Sequence, residues 1–175
     1  MNKKFFYILI STLLFNTAFI KSQSRTIDSL LHLLDISKRD TTYLINLNNL
    51  ASNYSKSYTF DRAMFYANSA IKIADSIIAS SSNDLTAKIA KKHKGQSYNI
   101  IGTCFYQQNN HLQSLNYFLL SLEIRKSIDD KKGIGNSYQN IGLEYQSLGN
   151  YPESLKNLFA SIKIKETINN KTGIA

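Results

Sequence analysis

The chain has 175 residues, 43% of them hydrophobic and 19% charged, a composition that can bury a core and is not that of a disordered chain. Seven glycines and one proline are too few for the tight turns of a β-sandwich or barrel, and a single cysteine, Cys104, excludes an internal disulfide framework and a cysteine-rich zinc site. The net charge is +9, and His32, His93 and His111 share no helical spacing that would build a metal cluster.

Lys3 and Lys4 precede an apolar run from Phe5 to Ile20, broken only by Ser11, Thr12, Asn16 and Thr17. A short positive region followed by about 7–15 apolar residues is the layout of a secretory signal peptide. The run falls short of the roughly 20 residues that span a bilayer. Residues 1–23 are expected to be a signal peptide that exports the chain to the periplasm, with an uncleaved anchor or a buried helix as the alternatives. Small residues do not mark a clean cut near Ile20–Gln23, and no cysteine follows to carry a lipid. Without Lys3, Lys4 and Lys21, 18 basic and 12 acidic residues remain, and the charge falls to +6.

In the segment 24–40, Ile27, Leu30, Leu31 and Leu34 predict one short amphipathic helix, a lid on the first end of the helices beyond it. Residues 41–84 read as a helix pair. Leu47, Leu50, Ala51 and Tyr54 share one face, and Ala63, Tyr66, Ala67, Ala70 and Ile71 share another, before the polar loop Ser80–Asn83. Lys88, Lys91, Lys92, His93 and Lys94 then form a basic cluster, read as a solvated face where a helix begins. Nucleic acid is not expected there, because no aromatic residues interleave the cluster to stack bases.

From Gly95 onward the chain repeats itself. Residues 95–135 laid on 135–175 agree at 14 of 41 positions, among them Gly95/Gly135, Tyr98/Tyr138, Gly102/Gly142, Asn110/Asn150, Ser121/Ser161 and Gly133/Gly173. Average residue usage would give roughly two or three. Each period reads as two helices, 95–128 and 135–168, with turns at Asn109-Asn110 and Gly149-Asn150 and linkers at Asp129–Gly133 and Asn169–Gly173. A glycine inside a helix costs about 0.5–1 kcal/mol relative to Ala. Gly102 and Gly142 are therefore expected to admit the close approach of the partner helix, flanked by Tyr98 and Phe105. Lys171–Ala175 reads as the opening of a fourth repeat. The chain is thus expected to be the front part of a longer protein, or else to pair with another chain through its exposed end.

An aromatic, then Ile-Gly or Leu-Ala, then an aromatic in the first helix, followed by small–aromatic–small in the second, resembles the tetratricopeptide repeat. The likeness covers about residues 41–175. The forty-residue period departs from that family's usual 34. The stretch Asp129–Gly142 resembles a long-period subtype found in exported signalling proteins of Bacteroidetes-type bacteria, whose repeats often precede an output domain. The resemblance implies an all-α, right-handed α-solenoid of antiparallel helix pairs, three repeats plus one leading helix. It also implies a protein or peptide partner bound in a concave groove, lined mainly by the first helix of each pair. The first-helix residues off the packing face are Asn48, Ser52, Asn99, Thr103, Tyr106, Gln139, Leu143 and Gln146. The set is neutral and hydrogen-bonds in both senses, as a peptide backbone requires. It lacks the Lys and Arg that would clamp a terminal carboxylate.

No nucleophile stands beside a base, and no complete Gly-rich phosphate loop follows a strand. Gly133-Ile134-Gly135 repeats as Gly173-Ile174-Ala175, so it belongs to the repeat. Cys104 has no positive neighbour to activate it. No catalysis, cofactor or metal is expected. The rival readings are self-association through the last repeat and binding of an anionic polymer or membrane by Lys88–Lys94. Any other membrane contact would come from the N-terminal segment or from a part following Ala175.

Overall fold

The computed structural model describes residues 26–34 and 40–172, with side chains given through residue 168. The regular elements among them are helices: α1 (26–34), α2 (Thr41–Lys56), α3 (Phe60–Ser80), α4 (Asp84–Gln107), α5 (His111–Ser127), α6 (Lys131–Ser147) and α7 (Tyr151–Thr172). The expected leader at 1–23 lies outside the described residues, as do Gly173–Ala175 of the expected fourth repeat. No described helix is long and apolar enough to cross a membrane.

Short polar side chains set the helix starts. Asp40 Oδ1 accepts from the N–H groups of Thr42 and Tyr43 (2.8 and 3.1 Å), and Asn83 Oδ1 from that of Leu85 (2.8 Å). Asn110 and Asn150, identical across the forty-residue step, take the N–H groups of Gln113 and Glu153 (3.3 and 3.4 Å). Such a cap contributes about 1 kcal/mol. The first helix of each pair ends on a residue in the left-handed region: Tyr58 (φ 58°), Asn109 (58°) and Gly149 (76°). The N–H of the next residue returns to a carbonyl one turn back, from Thr59 to Tyr54 O, Asn110 to Phe105 O and Asn150 to Tyr145 O (2.8–2.9 Å).

The helices run further than the sequence suggests. Asp130 caps α6 by accepting from Gly133 N–H (3.1 Å), so the expected linker shrinks and Lys131–Gly133 become the first turn. At the other end α7 stays helical through Thr172, across most of the second expected linker. α4 begins at Asp84, which makes Lys88–Lys94 part of its first three turns.

Within a pair the helices are antiparallel. Along α4, Gly95 meets Ile124 and Arg125 while Gly102 meets Phe118, so the order reverses on α5. Forty residues on, Gly135 meets Ile164 and Gly142 meets Leu158. A Cβ built on Gly102 would stand 2.8 Å from the Phe118 ring, and one on Gly142 would stand 2.8 Å from Leu158 Cγ. The expected close approach is therefore real. Ser121 Oγ donates to Gly95 O and Ser161 Oγ to Gly135 O, both at 2.8 Å, so the hydrogen bonds repeat as well. Tyr117 holds the two aromatics beside Gly102, stacked on Phe105 (5.5 Å) and tilted against Tyr98 (6.2 Å).

In the first pair alanines do the work of the glycines. Ala63, Ala67, Ala70 and Ala74 form one fully buried stripe on α3 that lets α2 and α4 close over it. Ile27, Leu30 and Leu34 of α1 pack on this core, while Leu31 is more exposed. A further cluster of Phe118, Leu122, Ile134 and Ile141 joins the second pair to the third. The result is an all-α solenoid, each pair burying its apolar face against the next.

Candidate functional site

The first helices α2, α4 and α6 stand side by side, and polar bonds hold their spacing. Asn140 Nδ2 donates to Asn99 Oδ1 (2.9 Å) between α6 and α4. Between α4 and α2, Ser97 Oγ donates to Asn48 Oδ1 (2.7 Å), and Asn48 Nδ2 donates to His93 O (3.0 Å).

These bonds revise the expected groove. Asn48 is 0% exposed and both ends of its amide are taken, so it is a cross-repeat strut beyond a ligand's reach. Ser52, Asn99 and Thr103 are half-buried, and Thr103 Oγ1 donates back to Asn99 O (2.9 Å). Tyr106 and Leu143 are exposed, 43% and 37%, as are Gln139 and Gln146. Gln139 accepts from Lys165 Nζ (2.5 Å) of α7, so it belongs to the last pair's own edge. Asn140, not named from the sequence, is the α6 residue that reaches α4.

Nor is the lining neutral throughout. Because α4 and α6 start early, Lys92 and Lys132 continue the faces of Gln96 and Asn136 toward the helix N-termini. Together with Arg125, Asp130 and Gly133 they line a cleft of about 430 Å³. None of the eight residues expected to line the groove belongs to this cleft, whose Lys and Arg add charge to that neutral set. Lys92 and Lys132 stand forty residues apart, a match lying just upstream of the window in which the repeat is strongest. Burial holds the Arg125 guanidinium below its ordinary value against the opposing pull of Asp130.

The basic cluster does not form one patch, because helical geometry sends its members apart. Lys88 and Lys91 line a separate cleft with Lys126, Asp84 and Asp129. Lys94 pairs with Asp75 (2.6 Å) and lies over the Tyr98 ring, 5.8 Å from its centroid. His93 has its Nδ1 buried without a partner. Burial, then the charge of Lys92, lowers its pKa, and a hydrogen bond with Gln96 opposes them.

One buried acid sits at the joint of the second and third pairs. Glu144 is 0% exposed; its Oε2 lies 2.9 Å from His111 Nδ1, and its Oε1 is hydrogen-bonded by Ser114 Oγ. Ser114 also reaches Gly102 O (2.9 Å), so one point ties α4, α5 and α6. His111 meets the Tyr106 ring edge to face at 6.1 Å. Cys104 is fully buried, and burial pushes its thiol pKa up. Among the described residues no group of three or more His, Cys, Asp or Glu could hold a metal.

Residues 94–167 match the family model for the tetratricopeptide repeat. No curated protein sequence matches the chain. Among solved structures it is similar to RapI in its apo form (TM-score 0.68, 20% identity, 88% of this chain and 40% of that one). It is also similar to BtubC from P. vanneervenii (0.61, 17%, 75% and 50%) and to the TPR domain of Arabidopsis FLU (0.59, 18%, 71% and 95%). The chain thus spans half of the BtubC structure and less of RapI. At these identities the structures speak for the fold alone, and that fold agrees with the match of residues 94–167 to the tetratricopeptide repeat.

Proposed function

We propose that the protein is an exported scaffold that binds an extended peptide segment of a partner along the face of α2, α4 and α6. The carrying observation is that Tyr106, Leu143 and Gln146 stay exposed on helices whose other faces are packed. An aromatic, an aliphatic and an amide can anchor a side chain and satisfy a peptide backbone. Helical repeats of this family are interaction scaffolds, and the chain's chemistry fits that use. The test is selection of random heptapeptides on the full chain, followed by titration against Tyr106→Ala and Asn99→Asp. At least a tenfold loss with each is expected; unchanged binding by both variants removes the groove assignment.

Export rests on Lys3, Lys4 and the Phe5–Ile20 run. Mass measurement of the product from a periplasmic extract should show the first 23 or so residues removed. The likeness of Asp129–Gly142 to repeats of exported signalling proteins supports a sensory role within such a system.

A second reading has its own observation. Leu155 and Ile162 on α7 are 55% and 51% exposed, whereas their forty-residue counterparts Leu115 and Leu122 are covered by α6. With Tyr151 and Phe159 they make an apolar row suited to self-association. Sedimentation velocity that shows a monomer across a hundredfold concentration range would dispose of it.

A further inference from the structure

The cleft at the N-terminal ends of α4 and α6 carries more positive charge than its surroundings neutralise. Lys92 and Gln96 come from α4, Arg125 from the end of α5, and Lys132 and Asn136 from α6. Asp130 is the one carboxylate in the lining, and it is already engaged. Its Oδ1 caps α6 at Gly133 N–H, and its Oδ2 lies 3.7 Å from Arg125 Nη1. Among the described residues no carboxylate comes within ion-pair distance of Lys92 or Lys132.

Arg125 is the unusual member. Its side chain is only 11% exposed, packed with its stem against Gly95. Of the guanidinium's five N–H donors, Nε–H is used on Ser121 Oγ (3.0 Å). The distance from Nη1 to Asp130 is too long for a hydrogen bond. A desolvated planar fork with donors to spare is the group best shaped for an incoming carboxylate. Gly133 keeps the fork in place, since a Cβ there would collide with Arg125 Nη1. The neighbouring cleft differs: Lys88, Lys91 and Lys126 share it with two carboxylates, Asp84 and Asp129, and Lys126 lies over the Tyr138 ring. The larger positive excess therefore lies on the α4–α6 side.

This cleft is continuous with the groove. Lys92, Gln96, Asn99 and Thr103 follow one face of α4 toward Tyr106, and Lys132, Asn136, Asn140 and Leu143 follow the facing side of α6. From Lys92 to Tyr106 the helix rises about 21 Å at 1.5 Å per residue. An extended chain covers that in about six or seven residues.

We infer that the cleft of Lys92, Arg125 and Lys132 is an anion subsite that takes an acidic side chain of the partner peptide, about six residues from the apolar side chain lodged at Tyr106 and Leu143. The inference rests on the groove reading above and gives it polarity: acidic at the helix N-termini, apolar at their C-termini. The net excess of two positive charges suits one or two carboxylates.

The probe is a displayed library of random heptapeptides, selected in parallel on the full chain and on the Lys92→Gln/Lys132→Gln variant. Both lysines are exposed, so the variant keeps the fold. Peptides enriched on the parent should carry Asp or Glu near one end and an apolar residue near the other. On the variant the acidic preference should vanish while the apolar one persists. By fluorescence anisotropy at low salt, the best peptide should bind the parent at least tenfold more tightly than its Asn or Gln counterpart, and the variant should bind both alike. Enrichment without acidic residues, or an acidic preference that survives in the variant, overturns the subsite and leaves the groove standing. No enrichment on either protein overturns both.

Discussion

Phe118 packs directly on Gly102, and forty residues later Leu158 packs as closely on Gly142. The contact is local, repeated and too tight for a methyl group, so it is a direct readout of why two helix-interior glycines persist. Gly102→Ala should lower stability by about 1–2 kcal/mol, overpacking outweighing the better helix propensity of Ala. Gly135→Ala is the matched control. Its Cβ would come no nearer than 3.4 Å to its closest neighbour, Ile164, so the helix gain should leave stability unchanged or higher by about 0.5 kcal/mol. Urea unfolding followed by circular dichroism measures both.

Glu144 gives a second prediction. Replacing it with Ala strips His111 and Ser114 of their shared acceptor and opens a cavity. The expected loss is about 2–4 kcal/mol, with Glu144→Gln costing less because it keeps one acceptor and the volume. Equal stability of all three proteins would mean that the joint between second and third pairs is held by its apolar cluster alone.

The third concerns acid. Burial and then Lys92 lower the pKa of His93 in the fold, with Gln96 opposing. Below the ordinary histidine value of about 6.5 the unfolded chain takes up a proton that the folded chain resists. His93 thus leaves stability whole above that pH and erodes it as pH falls. His93→Gln should flatten the stability profile between about pH 7 and 5 relative to the parent. Parallel profiles would contradict the assignment.

Cys104 supplies the fourth. A fully buried thiol whose pKa burial has raised should react with a disulfide reagent at about pH 8 at least a hundredfold more slowly than in urea. Rapid labelling of the folded protein would place it at a surface.

Much of this architecture was open to inspection in the chain. The repeat of Gly102 and Ser121 forty residues apart encodes contacts that the fold then makes twice. What misled were residues whose chemistry has two uses. Gly133 looks like a helix breaker, yet it sits in the first turn of α6 because Asp130 caps that helix and Arg125 needs the space. Asn48 shares its repeat position with Asn99. It is buried because Ser97 and the His93 carbonyl fall opposite it, and pairings between helices leave no mark on one helix's periodicity. Lys92 and Lys132 read in the sequence as members of a surface cluster and a linker; the true starts of α4 and α6 join them to the groove face.

The two serine bonds, Ser121 to Gly95 O and Ser161 to Gly135 O, each span 26 residues. Closing so short a loop costs little chain entropy, and a doubling of its length would add only about 0.6 kcal/mol. Each pair can therefore assemble before its neighbour does, and folding should be fast for a chain of this size. The same locality lets a pair come apart without the rest. In hydrogen exchange α7, covered on one side only among the described residues, should open first, and α4, held between α2, α3 and α5, last.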